Sequence, residues 1–264
     1  MTGSRNDAVL LTRPAPGVVL LTLNRPGARN AMNVELTGEW NRVIDEISDD
    51  NQTRCLVVTG AGTSFCAGAE LSWLDQGSPD TTIDRLRNRM LPFYESWLRP
   101  RRLPFPVIAA VNGPAIGAGL CLALSCDVRY ASPEAVFRTP FIHLGTHPGM
   151  AATFLLPEAI GKSHARDMLF TGREVQADEA CRWGLVSEVA PDVVSHAIEV
   201  ATQIAAAGPI AARLTKAGLE AASDGYEASL RWESLAQPVT LTTEDIHEGI
   251  DAFRSGRRPR FSGR

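Results

Sequence analysis

Apolar positions along this chain come first as short unbroken runs and helical stripes in alternation, and then as helical stripes alone. Val18 to Leu23 is a β-branched and leucine-rich run that stops at Asn24-Arg25-Pro26-Gly27, which predicts a strand closed by a turn. From Asn33, a residue type suited to a helix N-cap, Leu36, Trp40, Val43, Ile44 and Ile47 recur at three- and four-residue spacing up to Asp49-Asp50. That stripe predicts a helix with Trp40 in the core. The alternation then repeats. Cys55 to Thr59 reads as a strand, Gly60 to Ser64 as a loop, and Thr82 to Leu98 as a helix after a polar segment around Gln76 to Thr81. A third strand, Val107 to Val111, leads through Asn112-Gly113-Pro114 into Gly117-Ala118-Gly119 and a short apolar helix, Leu120 to Leu124. Short strands at Val128 to Ala131 and around Ala135 to Phe137 precede helices at Ala151 to Ile160 and Ser163 to Leu169. Beyond Asp192 the pattern is helical only, at Val193 to Ala206, Pro209 to Ala222 and Glu244 to Ser255. Strands alternating with helices, then helices alone, predict an α/β core over residues 1–200 and a helical C-terminal segment over residues 201–264.

Composition supports a packed domain: 44% of the 264 residues are hydrophobic and 21% charged. The net charge of −4, with basic residues scattered until Arg257, Arg258, Arg260 and Arg264, argues against nucleic acid as a partner. The five cysteines form no C-x-x-C pair and four lie among apolar residues, which favours reduced thiols over disulfides or zinc. Met1 to Asp7 is polar, and no run is long enough to span a bilayer, so the chain reads as soluble and cytoplasmic, without membrane contact. No metal cluster or redox cofactor motif stands out.

Two segments carry the candidate chemistry. Phe65-Cys66-Ala67-Gly68-Ala69-Glu70-Leu71 and Asn112 to Gly119 each place small residues between a strand and a helix. A helix start leaves backbone N–H groups unpaired and partly positive, and small side chains let an oxygen approach them. Two such turns facing one oxygen make an oxyanion hole. Taken singly, each is equally well a tight turn required for helix-on-sheet packing. Neither has the spacing of a phosphate loop or a dinucleotide fingerprint.

Together these motifs resemble the crotonase family, the enoyl-CoA hydratase/isomerase superfamily. The resemblance rests on Leu23-Asn24-Arg25-Pro26 with Asn30-Ala31, Cys66 to Leu71, Ala110 to Gly119 with Cys126-Asp127, Leu144 to Gly149, Gly161-Lys162, Thr171-Gly172 and Trp183 to Val186. It implies a spiral of β-β-α units with C-terminal helices that build homotrimers or homohexamers. It also implies a substrate that is an acyl-CoA thioester, coenzyme A being part of the substrate rather than a resident cofactor. The thioester carbonyl would sit on the N–H groups of Ala69 and Ala118, with Ala67, Gly68, Leu71 and Gly117 beside it and the adenine end near Ala28 and Arg29. The family's hydratases carry two glutamates, at the positions that are Cys121 and Phe141 here. Phe141 transfers no proton, and Cys121 reads as a small core residue, so ordinary hydration is not expected. His147 and His143 lie in the segment of the second glutamate and are the replacement acid–base candidates, His147 ahead of His143. Glu70 stands where the family has an aspartate with a structural role at a helix start. Asp75, Glu95, Met90, Phe93 and Trp97 are candidates for the acyl end, and core packing accounts for them equally well. The resulting expectation is an enolate-stabilising lyase or isomerase of acyl-CoA metabolism, with a catalytically silent acyl-CoA-binding protein as the alternative.

Overall fold

The computed structural model describes residues 7–70, 82–221 and 225–264. The predicted run at Val18 forms β2 (Val18–Leu23), which pairs antiparallel with β1 (Val9–Ala15) on one side. On its other side β2 pairs in parallel with β3 (Cys55–Gly60), which in turn pairs with β4 (Val107–Val111). Two shorter strands, β6 (Val128–Ala131) and β9 (Glu188–Val189), complete a six-stranded sheet in the order β1-β2-β3-β4-β6-β9. A second sheet of three short strands holds β5 (Ala115–Ile116), β7 (Val136–Arg138) and β8 (Glu174–Gln176). Isolated bridges from Met32 to Ala69 and from Cys66 to Ala115 lie near the carboxyl ends of the long strands.

The parallel register decides where chemistry can occur. Leu23 lies opposite Gly60, and Val58 opposite Ala109, so β2, β3 and β4 end at the same edge. The segments that follow them, 24–33, 61–70 and 112–117, therefore converge there. Such an edge, outside the carboxyl ends of parallel strands, is where α/β sheets bind ligands.

Helices cover both faces. In α1 (Val34–Ser48), Asn33 Oδ1 accepts from the Leu36 N–H at 2.8 Å, and Leu36, Trp40, Val43, Ile44 and Ile47 are all buried. This is the cap and stripe expected from the sequence. Trp40 stacks on Trp97 of α2 (Ile83–Trp97) with ring centroids 4.8 Å apart. Their indole N–H groups donate to the Ser96 carbonyl and to Thr37 Oγ1. The opposite face is closed by α6 (Val193–Ala205), whose Ala197, Ala201 and Ala205 pack on Val18, Val57 and Ile108. Small side chains there bring the helix close to the strands.

Between these lie α3 (Ala118–Leu124), α4 (Ala152–Thr171) and α5 (Ala177–Arg182). The first begins two residues earlier than the apolar run suggested, at Ala118. The second joins the two helices expected from the sequence across Gly161, whose φ of 73° and ψ of 161° break the helical path.

The last three helices are α7 (Pro209–Ala221), α8 (Tyr226–Leu241) and α9 (Glu244–Arg254). Lys216 ties α7 to the core: its buried Nζ pairs with Asp127 at 2.8 Å and donates to the carbonyls of Pro100 and Phe105. Asp245 accepts from the N–H groups of Ser262 and Gly263, and Arg54 donates to the Phe261 carbonyl, so the C-terminal residues fold back onto the body. Among the described residues, no helix is long and apolar enough to cross a membrane.

Candidate active site

The two small-residue turns meet. Met32 takes both bonds of its bridge, donating to the Gly68 carbonyl at 2.7 Å and accepting from the Glu70 N–H at 3.0 Å. In a parallel bridge of that kind the residue opposite, Ala69, has its own N–H turned to the other side. Ala118 opens α3, where a helix has no intrahelical acceptor for its first N–H groups. Gly117 before it has φ 54° and ψ −115°, a conformation open essentially to glycine alone. Among the described residues, neither the Ala69 nor the Ala118 N–H is taken by a backbone acceptor.

Buried and half-buried side chains fix the loops that bring these turns together. Asn30 donates to the carbonyls of Ala61 and Ser64 and accepts from the Arg25 N–H. Asn112 donates to the Gly60 and Gly62 carbonyls and accepts from the Gly60 N–H. Cys66 exchanges backbone bonds with Pro114 and Ile116, which joins the first turn to the second directly. Arg25 Nη1 pairs with Glu70 Oε1 at 2.8 Å and reaches the Ala31 carbonyl. Glu70 is therefore engaged in an ion pair that holds the first turn to the end of β2.

A cavity of about 660 Å³ opens between these turns, α2 and residues 140–150. Its floor includes Ala67, Gly68, Ala69, Gly117 and Ala118, and Ala28 and Ala31 border it on the β2 side. Met90, Phe93, Ile116, Phe141, Leu144 and Met150 make it largely apolar. Glu70, Tyr94, Thr146 and His147 contribute its polar side chains among the described residues. His147 Nδ1 donates to the Pro148 carbonyl at 2.7 Å, which assigns the ring proton to Nδ1 and leaves the Nε2 lone pair to accept. In the two residues that follow Gly149 the backbone is strained: Met150 and Ala151 have φ of 52° and 54°, the left-handed region that non-glycine residues avoid. Strain of that kind, about 1–3 kcal/mol per residue, tends to collect at ligand sites.

A family profile described as Enoyl-CoA hydratase/isomerase matches residues 14–264. The chain belongs to that family. A putative enoyl-CoA hydratase/isomerase of Bacillus subtilis is 38% identical across 97% of this chain and 99% of its own length. The 2,3-dehydroadipyl-CoA hydratase of Escherichia coli is 37% identical across 94% of this chain and 96% of its own. Among solved structures, an enoyl-CoA hydratase from Bacillus anthracis superposes with a TM-score of 0.90 at 33% identity, covering 97% of this chain and all of that one. The α/β architecture with its C-terminal helices is thus that of crotonase-like proteins.

The cavity brings together Ala28, Ala67, Gly68, Ala69, Glu70, Gly117, Ala118, Phe141 and His147 of the residues singled out from the sequence. Of the remaining acid–base and coenzyme-binding candidates, His143, Cys121 and Arg29 lie outside the cavity lining. His143 is exposed on the short 3₁₀ turn at 140–144 and packs over Gly172, with Nε2 2.9 Å from the Thr171 carbonyl, because that turn directs it away from the cavity. Cys121 is fully buried in α3, its thiol 3.8 Å from the Gly149 carbonyl, and burial pushes it up to about 12. It is a core residue behind the cavity wall. Arg29 is exposed, in the left-handed region, and its carbonyl accepts from the Ala67 N–H. Leu71 and Asp75 lie outside the described residues. Of the acyl-end candidates, Met90 and Phe93 line the cavity, while Trp97 is in the core and Glu95 borders a separate surface groove. Tyr94 went unnoticed in the sequence. It follows Met90 by four residues and so shares its helix face, a signal that was present.

Proposed function

We propose that this protein binds an acyl-CoA thioester with the carbonyl oxygen between the N–H groups of Ala69 and Ala118, and carries out a lyase or isomerase step through the enolate that forms there. The observation that carries this reading is that, among the described residues, both N–H groups lack a backbone acceptor and belong to the wall of one largely apolar cavity. Fixed donors aimed at developing charge act without reorganising, and loss of one such donor typically costs about 10²–10³ in rate. Deprotonation next to a thioester carbonyl develops that charge on oxygen. His147 Nε2 is the acid–base group of this reading, and the coenzyme's adenine end lies near Ala28 and Arg29. The reaction belongs to fatty-acid or related acyl-CoA metabolism in the cytoplasm.

Hydration of a 2-enoyl-CoA is the nominal activity by family, and efficient hydration is not expected. In the resemblance on which this rests, the hydratase glutamates correspond to Cys121 and Phe141. A phenyl ring carries no transferable proton. The Cys121 thiol, pushed up to about 12 by burial, gives none at neutral pH. The same two positions favour a second reading, a catalytically silent acyl-CoA-binding protein; His147 in the cavity wall speaks for chemistry. The segment 201–264, with Leu219, Leu235 and Phe253 exposed, would join core units of residues 1–200 into a homotrimer or homohexamer.

Titration with crotonyl-CoA and butyryl-CoA tests the cradle: saturable binding is expected, and its absence at millimolar ligand overturns it. Crotonyl-CoA hydration at the rate of an efficient hydratase would overturn the argument from Cys121 and Phe141.

A further inference from the structure

Building on the acyl-CoA reading above, the geometry points to Tyr94 as a second catalytic acid of this site, its hydroxyl giving the proton that a thioester enolate takes at carbon. Tyr94 is carried on α2 and is one of the polar side chains that line the cavity among the described residues. Room for its hydroxyl is made by a glycine. A Cβ on Gly149 would lie 2.6 Å from the Tyr94 oxygen, so the phenol reaches over the backbone two residues past His147 only because position 149 has no side chain. The thiol of Cys121 faces the carbonyl of that same Gly149 from within α3, the helix that Ala118 opens. Tyr94 thus stands beside the wall shared by the second donor turn and the histidine segment.

Its hydrogen-bonding supports the assignment. Among the described residues the hydroxyl is hydrogen-bonded to the Met90 thioether alone, at 3.7 Å, a weak acceptor, and its proton is not committed to a strong one. Burial raises the phenol above the ordinary tyrosine value, with the neighbouring Cys121 adding to the effect, so it is neutral over the physiological range and acts as a donor rather than a base. In the step assigned to it, the enolate's electron pair forms a C–H bond with the phenolic proton as the Tyr94 O–H bond breaks. The carbonyl re-forms on the donor N–H groups, and the tyrosinate recovers a proton from water entering the open cavity. His147 Nε2 removes the α-proton in the opposite half of the cycle, and the imidazolium returns it to the hydroxide left by that water, so that both groups are restored. Two groups on different elements can so serve the two directions of proton flow.

The test is exchange of the α-hydrogens of butyryl-CoA in D₂O, followed by NMR alongside calorimetric binding, with the unaltered protein, Tyr94→Phe and Gly149→Ala. The unaltered protein is expected to bind and to exchange. Tyr94→Phe should keep its affinity and slow exchange by about a hundredfold or more, the range of a positioned acid. Gly149→Ala retains the phenol but displaces it, and should slow exchange in the same way. Replacement of Tyr94 by 3-fluorotyrosine, a stronger acid, should move the alkaline limb of the exchange profile to lower pH, a shift that loss of packing alone does not produce. Exchange in Tyr94→Phe equal to that of the unaltered protein overturns the assignment, as does binding with no exchange in any form. Absence of butyryl-CoA binding to the unaltered protein overturns the acyl-CoA cradle instead, which keeps the two failures apart.

Discussion

Gly68 lies so close to the backbone of Ala118 that a Cβ on it would fall 3.3 Å from the Ala118 nitrogen and 2.7 Å from the Ile116 carbonyl oxygen. The two donor turns are therefore in backbone contact, and the cavity floor has no side chain between them. Gly119 repeats the relationship from the other side: a Cβ there would overlap the Cys66 carbonyl. This mutual packing accounts for small residues in both turns, and it also sets the spacing of the Ala69 and Ala118 N–H groups.

Gly68→Ala should fail on both counts. Its φ of 91° disfavours any side chain, and the Ile116 oxygen blocks the space, so a loss of about 1–3 kcal/mol in stability is expected together with weakened butyryl-CoA binding. Gly38→Ala in α1 meets open space and should be neutral or slightly stabilising by urea denaturation.

His147→Ala is expected to lower the rate of whichever thioester reaction is found by about 10²–10⁴ while leaving binding nearly unchanged. An unaltered turnover rate in a steady-state assay would remove His147 from the chemistry. His143→Ala should change neither, since its imidazole is bonded to the Thr171 carbonyl outside the cavity.

Burial pushes the thiols of Cys55, Cys66, Cys121 and Cys126 up to about 12. The thiolate is the reactive form, so native protein treated with iodoacetamide at neutral pH should be carboxamidomethylated at Cys181, the half-buried one, and spared at the other four. Peptide mass mapping reads this directly, and modification of Cys121 would contradict its placement in the core.

Much of this arrangement was legible in the sequence because burial and local chemistry agreed. Val18 to Leu23 and Val107 to Val111 were readable as strands since every second or consecutive position there is buried, and Asn33 announced its helix by its own capping bond. β1 was not visible: it is an edge strand whose short apolar start, Val9 to Leu11, gives way to exposed Thr12, Arg13 and Pro14, so the run is brief and does not alternate. Helix α8 was missed for a related reason, because none of its residues is buried and no stripe forms. In the site, the donor turns were legible from their glycines. The orientation of His143 was not, since a 3₁₀ turn rotates neighbouring side chains in ways that spacing does not reveal. Tyr94 was hidden beside the more conspicuous Met90, Phe93 and Trp97.

Lys216 is buried, so removing the amine takes a donor from the carbonyls of Pro100 and Phe105 and from the Asp127 carboxylate, which keeps the Val107 N–H and access to water. Lys216→Ala should cost about 1–3 kcal/mol, seen as a lowered Tm, and should loosen α7 from the core. A wild-type melting curve would contradict the anchoring role.

The C-terminal fold-back should be acid-sensitive. Hydrogen bonds from the Arg257 side chain, and then from the Arg260 backbone N–H, hold Glu248 down to about 2 against an ordinary value of 4.5. A depressed carboxylate contributes fully above its unfolded value and loses that contribution as pH falls towards the folded one. Protease cleavage at Arg257 and Arg258 should therefore increase between about pH 4.5 and 2 and be flat at higher pH, measured with an acid-active protease. Glu248→Gln should show the susceptible behaviour already at neutral pH.

Difference infrared spectroscopy of butyryl-CoA carrying ¹³C at its thioester carbonyl reads whether the N–H groups of Ala69 and Ala118 hold that oxygen. Two fixed donors polarise the C=O bond, so its stretching band should move to lower frequency on binding than in water, and Gly68→Ala should reverse the shift. Saturable binding with the carbonyl band unchanged from that of the free thioester would contradict that placement.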